Sequence, residues 1–520
     1  MAVQGDLVDK TAAMIAAPVT ASDWLVVLPV LLPIVVGALL LMIRHNIRWH
    51  ALVALAALAA MVVANAMLLG RVLSDGPMSM TMGSWLPPFG ISFTVDALGA
   101  VFSLTGSLVA LACCAYSVQD VDATGRRYGF YPFLLLMMAG VSGAFLTGDM
   151  FNLYVWFEVF LISSFGLLIL GSEKPQIDGA TKYAILNLVG TTLFLIATGY
   201  LYGTFGTLNM ADLAVKVGQV GETAPLMTLA TLFLLAFGMK AAAFPVNFWL
   251  PASYHTPPVI TGALFGGLLT KVGIYALLRT LVMIFAIQRA ELAGLIGWVA
   301  VATMLVGALG ALAQSDIRRI SGFLVISGVG IMLAGIALGS EAGLSGAIFY
   351  ALHSMLALSA LYLLGGLMKQ LGGSFSLRSL AGLYGASPFL TLLAFFISLA
   401  VAGLPPGSGL WPKVMLVRAA LDAGVWQLAG AILVSGFLTT IALGRVFILA
   451  FWRNEVVDPT GAVAGKMSVA GCVALVSLVA VMLAIGFAPE PFIRAANVAA
   501  GGLLDTSAYV QAVFPAGGGQ

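Results

Sequence analysis

At 520 residues the chain is 61% hydrophobic and only 8% charged, with a net charge of +2, where a soluble globular protein carries about 25% charged residues. That balance, with a mean hydropathy of +1.07, excludes a soluble multidomain protein, and the near-zero charge gives no reason to expect a nucleic-acid partner. The expectation is an all-α polytopic protein, a single membrane domain over 1–520, with the lipid bilayer of the cell membrane as its solvent.

A spanning helix needs roughly 20 apolar residues. In chain order the apolar runs predict about fourteen such helices: 24–43, 51–73, 96–118, 129–147, 149–171, 179–203, 226–250, 257–285, 291–313, 318–338, 343–368, 387–420, 426–452 and 467–488. The longest connections are 74–95 and 204–225. Asp6, Asp9 and Lys10 precede the first run without a basic region leading into a cleavable apolar core, so no signal peptide is expected. Cys113, Cys114 and Cys472 fall in apolar runs with no CxxC spacing, which predicts buried, inert thiols.

Lysine and arginine set the orientation. With the N-terminus outside, twelve of them, from Arg44 to Lys466, fall in inner loops, and Lys10, Arg71, Lys216, Arg289 and Arg494 fall outside. Both termini are therefore placed outside.

Five ionisable groups stand where lipid-spanning helices should be apolar. Lys240 is the only charge in 226–250, and an ammonium at mid-membrane costs about 2.5–3.5 kcal/mol on insertion scales. Pro245 follows it and cannot donate to the helix ladder. Glu158 sits about ten residues into the fifth helix, and each charge becomes tolerable beside the other, so Glu158 and Lys240 are expected to be partners; a static bridge locking two helices is the plainer alternative. Lys271 is in the middle of the eighth helix and His353 in the middle of the eleventh. Lys413 follows a second break, GLPPGSGLWPK, around Pro405 and Pro406 in the over-long twelfth helix, and it reads as the formal match of Lys240. Intramembrane ionisable groups of this kind point to an ion or proton path. Asp96 and Asp149 read as helix caps, Lys182 as an interfacial anchor, and Arg418 and Arg445 as snorkelling side chains.

The two breaks lie five helices apart, so 129–285 and 291–452 are expected to be equivalent five-helix repeats, the second inverted because five is odd. There is no GxGxxG after a strand, no Walker loop, no HExxH and no Cys–His metal spacing. No cofactor or metal is expected, and energy must come from an ion gradient or a partner.

The string GMKAAAFPVNFWLPASYHTPP, 238–258, resembles the signature of the antiporter-like proton-conducting subunits. That family is shared by respiratory complex I, membrane-bound hydrogenases and Mrp-type monovalent cation/proton antiporters. The resemblance covers essentially the whole chain, and GLWPKVMLVRAAL after the second break is most similar to D-type Mrp subunits. It implies that Glu158 and Lys240 are coupled and that Lys271, His353 and Lys413 continue a proton-transferring polar axis along the membrane plane. Many family members carry a further lysine about four residues after the histidine; here those positions are Ala357 and Leu358.

The function expected is therefore a membrane subunit of a multisubunit Na+/H+ antiporter, working with other membrane subunits and not itself an enzyme. No sodium cage of carboxylates and carbonyls is visible, so the cation path is assigned to a partner. The alternative is a proton-pumping subunit of a complex I-type NADH–quinone oxidoreductase or hydrogenase. A solute channel predicts a wet pore without paired opposite charges, which the Glu158 and Lys240 pattern opposes.

Overall fold

The computed structural model describes residues 23–87, 89–219, 225–454 and 465–514; Asp6, Asp9 and Lys10 lie outside them. Each of the fourteen predicted segments holds a helix. Among the described residues eleven helices are long and apolar enough to cross a membrane, and Phe130–Leu146, Leu226–Ala241 and Pro388–Ala402 are shorter apolar helices. Val259–Ile284 and the apolar middle of Glu341–Gly372 are wholly buried and form the centre of the bundle. Apolarity all round is what such a position demands, since neither face meets water or lipid.

Among the described residues, further structured pieces lie outside the apolar runs. The 74–95 connection contains an antiparallel pair, Met78–Thr81 with Ser92–Val95. The 204–225 connection contains the helix Met210–Gln219. Beyond the last span come Glu490–Leu504 and the short helix Ser507–Val513. Asp96 and Asp149 do cap helices, accepting from Gly99 N at 3.0 Å and Asn152 N at 2.8 Å. Lys182 pairs with Asp178 at an exposed site, as an anchor would.

The helices 129–285 share detailed features with 291–452. Lys174–Phe205 and Glu341–Gly372 are each 32 residues long and end on left-handed Gly206 and Gly373. Asp149 bridges to Asn209 and Asp316 to Ser376. Met150 N donates to Leu208 O as Ile317 N does to Phe375 O, and Met210 N to Gly148 O as Leu377 N does to Ser315 O. Each of these turns is thus tied to the chain leaving the third helix of its own half, which fixes where the following helix enters.

That following helix is interrupted in both halves. Leu226–Ala241 stops at Ala242 (φ 61°), whose neighbour Ala243 N closes the end onto Gly238 O at 2.9 Å. Pro388–Ala402 stops at Gly403 (φ 83°), and Leu404 N closes onto Leu399 O at 2.9 Å. This left-handed closure satisfies carbonyls that have no water at mid-membrane. The prolines come after it: the peptides Phe244–Pro245 and Pro405–Pro406 are both cis, and helix resumes at Trp249–Ser253 and Leu410–Asp422. The helices therefore end before their prolines.

The first closure uses an alanine where the second uses glycine. A left-handed conformation costs an L-residue about 1–2 kcal/mol. Ala242→Gly is expected to raise the thermal unfolding midpoint of the purified protein, by a stabilisation of about 1 kcal/mol; an unchanged or lower midpoint would show that Ala242 is unstrained.

Candidate functional site: two small cavities at interrupted helices

Lys240 occupies the last turn before the first break, where the carbonyl end of a helix favours a cation. It is 4% exposed. Its Nζ lies 3.4 Å from Thr191 Oγ1 and 4.8 Å from the centroid of Phe157. Thr191 donates to Asn187 O at 2.5 Å, and Asn187 to Tyr183 O at 2.9 Å. Tyr183, Asn187 and Thr191 thus form a polar stripe at four-residue spacing facing the lysine. A search for charges misses this stripe, although its spacing in an apolar helix is a usable signal.

Glu158 is half-buried on the neighbouring helix Met150–Leu168. Its charge reaches Lys240, but the two do not touch. Among the described residues the ion pairs are Lys182–Asp178, Lys216–Asp212, Arg279–Asp96, Arg318–Asp316 and Arg418–Asp422. A hydroxyl and an aromatic face, not a carboxylate, make the direct contacts of Lys240.

Lys271 is fully buried. Its Nζ donates to Gly266 O at 2.7 Å. Gly266 belongs to a π-helical stretch, Phe265–Leu269, within Val259–Ile284. Such wide turns loosen the ladder, and they frequently mark functional sites.

His353 and Lys413 share the second cavity. His353 Nδ1 lies 2.7 Å from Ser408 Oγ, inside the second break. Gly409 lets the break approach the ring, because a Cβ there would sit 2.8 Å from Nε2. Lys413 Nζ donates to Ala402 O at 2.6 Å and also contacts Val401 O at 3.4 Å. The charges of both Lys413 and Lys271 reach His353. Ala357 and Leu358 line the same cavity.

The two cavities correspond in part of their walls. The first is lined by Phe157, Phe160, Tyr183, Asn187 and Lys240 together with Trp249, Tyr254 and Leu269. The second places Leu324, Ser327, Tyr350, Ser354 and Val401 at the matching positions of its own half. Each offers about 10 Å³ of space for a water centre, enough for about one molecule. Tyr254 Oη in the first and Ser354 Oγ in the second are buried without a hydrogen-bond partner in the protein.

This correspondence corrects one expectation. Lys413 does not stand where Lys240 does relative to the break: counted from the left-handed residues Ala242 and Gly403, that place is held by Val401. Lys240 precedes its break and Lys413 follows its own, entering from the resumed helix to reach the same kind of carbonyl terminus. The spacing of Pro and Lys in the sequence carries this difference, but only alignment on the left-handed residues Ala242 and Gly403 exposes it.

At the turn after Trp249–Ser253, His255 joins 129–285 to 291–452. Arg319 Nη2 lies 3.1 Å from His255 Nε2. Because a guanidinium only donates, Nε2 accepts, and Nδ1–H donates to Pro251 O at 2.8 Å. Burial, followed by the charge of Arg319, holds the imidazole below its ordinary value.

The chain matches the family described as NADH:quinone oxidoreductase/Mrp antiporter, TM, over residues 147–439. The D-type subunit of the Na(+)/H(+) antiporter of Alkalihalophilus pseudofirmus is 37% identical over 94% of this chain and 99% of its own length. The corresponding protein of Bacillus subtilis is 38% identical over 84% and 88%. Among solved structures, a chain of the Mrp complex from Dietzia sp. superposes with a TM-score of 0.88 at 29% identity, covering 95% of this chain and 100% of that one. A chain of respiratory complex I from Thermus thermophilus with bound NADH gives 0.80 at 25% identity, over 92% and 100%.

His255 supplies a pH test. Its folded value is depressed, so the unfolded chain binds more protons as pH falls through about 6.5. The stabilisation is complete above that pH and is lost below it. The unfolding midpoint should therefore drop between about pH 8 and about pH 5.5, and His255→Gln should flatten part of that drop. An identical pH profile in the variant would remove His255 from the inter-half contact.

Proposed function

Since the chain belongs to the NADH:quinone oxidoreductase/Mrp antiporter membrane family, we propose that it is the proton-handling membrane subunit of a multisubunit Na+/H+ antiporter. It is a transporter subunit rather than an enzyme, and its partners are other membrane subunits of the same complex. The observation that carries this reading is the 37% identity to a D-type antiporter subunit along 99% of that protein's length. The complex I chain shares the architecture at lower identity, which places the redox-pump alternative second.

Within that role the two cavities act as the proton-handling stations. In the first, Lys240 is solvated by Thr191 and the Phe157 face rather than locked in an ion pair. Neutralising or restoring Glu158 then changes the field on the ammonium without breaking a direct bond. A contact pair would resist such a change, since separating buried charges carries several kcal/mol. Lys271 holds the middle, within electrostatic reach of His353. His353 and Lys413 form the second station, with Ser408 fixing the imidazole. The axis is thus Glu158, Lys240, Lys271, His353 and Lys413.

The units 129–285 and 291–452 are read as inverted repeats, supported by their matched turns, equal third helices and paired closures. Each would connect the axis to one face. The lysine and arginine distribution supports termini outside the cell. The axis carries ammonium groups, which repel sodium, so the cation route is assigned to the partner subunits.

Proton movement in everted vesicles carrying all subunits, followed by a pH-sensitive dye on sodium addition, tests this. Lys240→Ala is expected to abolish the sodium-dependent signal, and Glu158→Gln to reduce it severely, with the complex still assembled. Wild-type exchange by assembled Lys240→Ala would overturn the proposal. Normal exchange in Glu158→Gln would reduce that residue to a packing role.

A further inference from the structure

One strongly charged cluster plays no part in the axis. Arg279 is completely buried in Val259–Ile284, within its second π-helical stretch, Leu278–Ile284. It grips Asp96 through both carboxylate oxygens, Nη1 to Oδ2 at 2.8 Å and Nη2 to Oδ1 at 2.5 Å. Its Nε donates to Tyr275 Oη at 3.0 Å, and that phenol donates to Phe145 O at 2.6 Å. The guanidinium also lies 5.3 Å from the ring of Tyr509, on the short helix Ser507–Val513.

The position of this cluster is its main interest. Lys271, Tyr275 and Arg279 recur every four residues on one helix, so a stripe of polar side chains leads from the middle of the membrane to the face that carries Asp96 and the C-terminal helix. Such a stripe has the form of a proton route, yet every group beyond Lys271 is unfit to relay. Tyr275 has its proton committed to Phe145 O and its lone pair to Arg279. A guanidinium does not release its proton, and this one is fixed by a bidentate carboxylate. Neutralised by that carboxylate, the guanidinium fills the path with a group that neither takes up nor passes on a proton. Lys271 meanwhile turns its ammonium the other way, onto Gly266 O.

We propose that the Arg279–Asp96 pair is a fixed-charge plug that closes this face of the first five-helix unit to protons, with Tyr509 of the C-terminal helix as its outer cover. The plug forces protons on Lys271 towards the His353 and Lys413 side instead of back across the membrane. This rests on the reading of Lys271 as a proton-carrying group. Arg279 and Asp96 are positioning and barrier residues, which bind nothing transported.

The test is passive proton leak in liposomes containing the whole purified complex, with a pH gradient imposed in choline buffer free of sodium. Asp96→Asn combined with Arg279→Gln keeps shape and hydrogen bonding while removing both charges, so no buried charge is left unpaired. It is expected to raise the leak several-fold, and to do so equally in a Lys240→Ala background. Tyr509→Leu, which leaves the ion pair intact, should raise it by a smaller factor. Arg279→Lys should keep the leak low. A wild-type leak in the assembled double variant overturns the proposal. If the double variant does not assemble, Tyr509→Leu decides: a wild-type leak there, or its own failure to assemble, leaves the cluster as a structural clamp. Normal exchange in Lys240→Ala would instead count against the functional reading, so the two failures are distinguishable.

Discussion

A helix that stops halfway across a membrane must find partners for its last carbonyls without water, and this constraint organises the candidate site. Both interrupted helices solve it locally, by left-handed closure at Ala242 and Gly403. Both leave a carbonyl terminus, the negative end of a helix dipole, at the wall of a small polar cavity. An ammonium is the natural complement to that terminus. Lys240 supplies it from inside the last turn, and Lys413 supplies it by reaching back to Ala402 O and Val401 O. The expense of placing lysines in the membrane is reduced by the same breaks that create the cavities.

Much of this was legible in the sequence because membrane insertion leaves strong signatures. A helix lies in each of the fourteen apolar runs, because a spanning segment must be long and apolar, whereas the helices Met210–Gln219, Glu490–Leu504 and Ser507–Val513 lie outside them. Charges inside those runs drew attention to Lys240, Lys271, His353 and Lys413, because each is too costly to be incidental. What stayed hidden depended on which side of a helix a group faces and on what lies across from it. Thr191, Asn187 and Tyr183 are ordinary residues in composition, and packing reveals that Asn187 and Tyr183 line the Lys240 cavity while Thr191 contacts the lysine itself. Asp96 was legible as a cap but not as the partner of Arg279, far away in the chain. The Glu158–Lys240 pairing was inferred from opposite charge, but charge alone cannot distinguish contact from influence through space.

Burial also explains the contrast between the charged clusters. Arg279 and Asp96 neutralise each other with bidentate geometry, Tyr275 and Gly99 take up further bonds, and Tyr509 gives an aromatic cover. The axis lysines are satisfied only by neutral groups, a hydroxyl or backbone carbonyls. A fully compensated pair favours one fixed arrangement, whereas a cation held by neutral dipoles can exchange partners or protons at lower cost. The protein therefore contains both kinds of buried charge on the single helix Val259–Ile284, at Lys271 and at Arg279.

The placement of Lys240 before its break and Lys413 after its own divides the work at the two gaps differently. Lys240 belongs to the stem helix, and the resumed segment Trp249–Ser253 is fastened to that stem by Trp249 Nε1, which donates to Met239 O at 3.2 Å. Lys413 belongs to the resumed helix Leu410–Asp422 and itself makes the bond back to the stem, at Ala402 O. An indole therefore fastens one broken helix across its gap and an ammonium fastens the other, so that loss of a proton acts directly on the fastening only at Lys413.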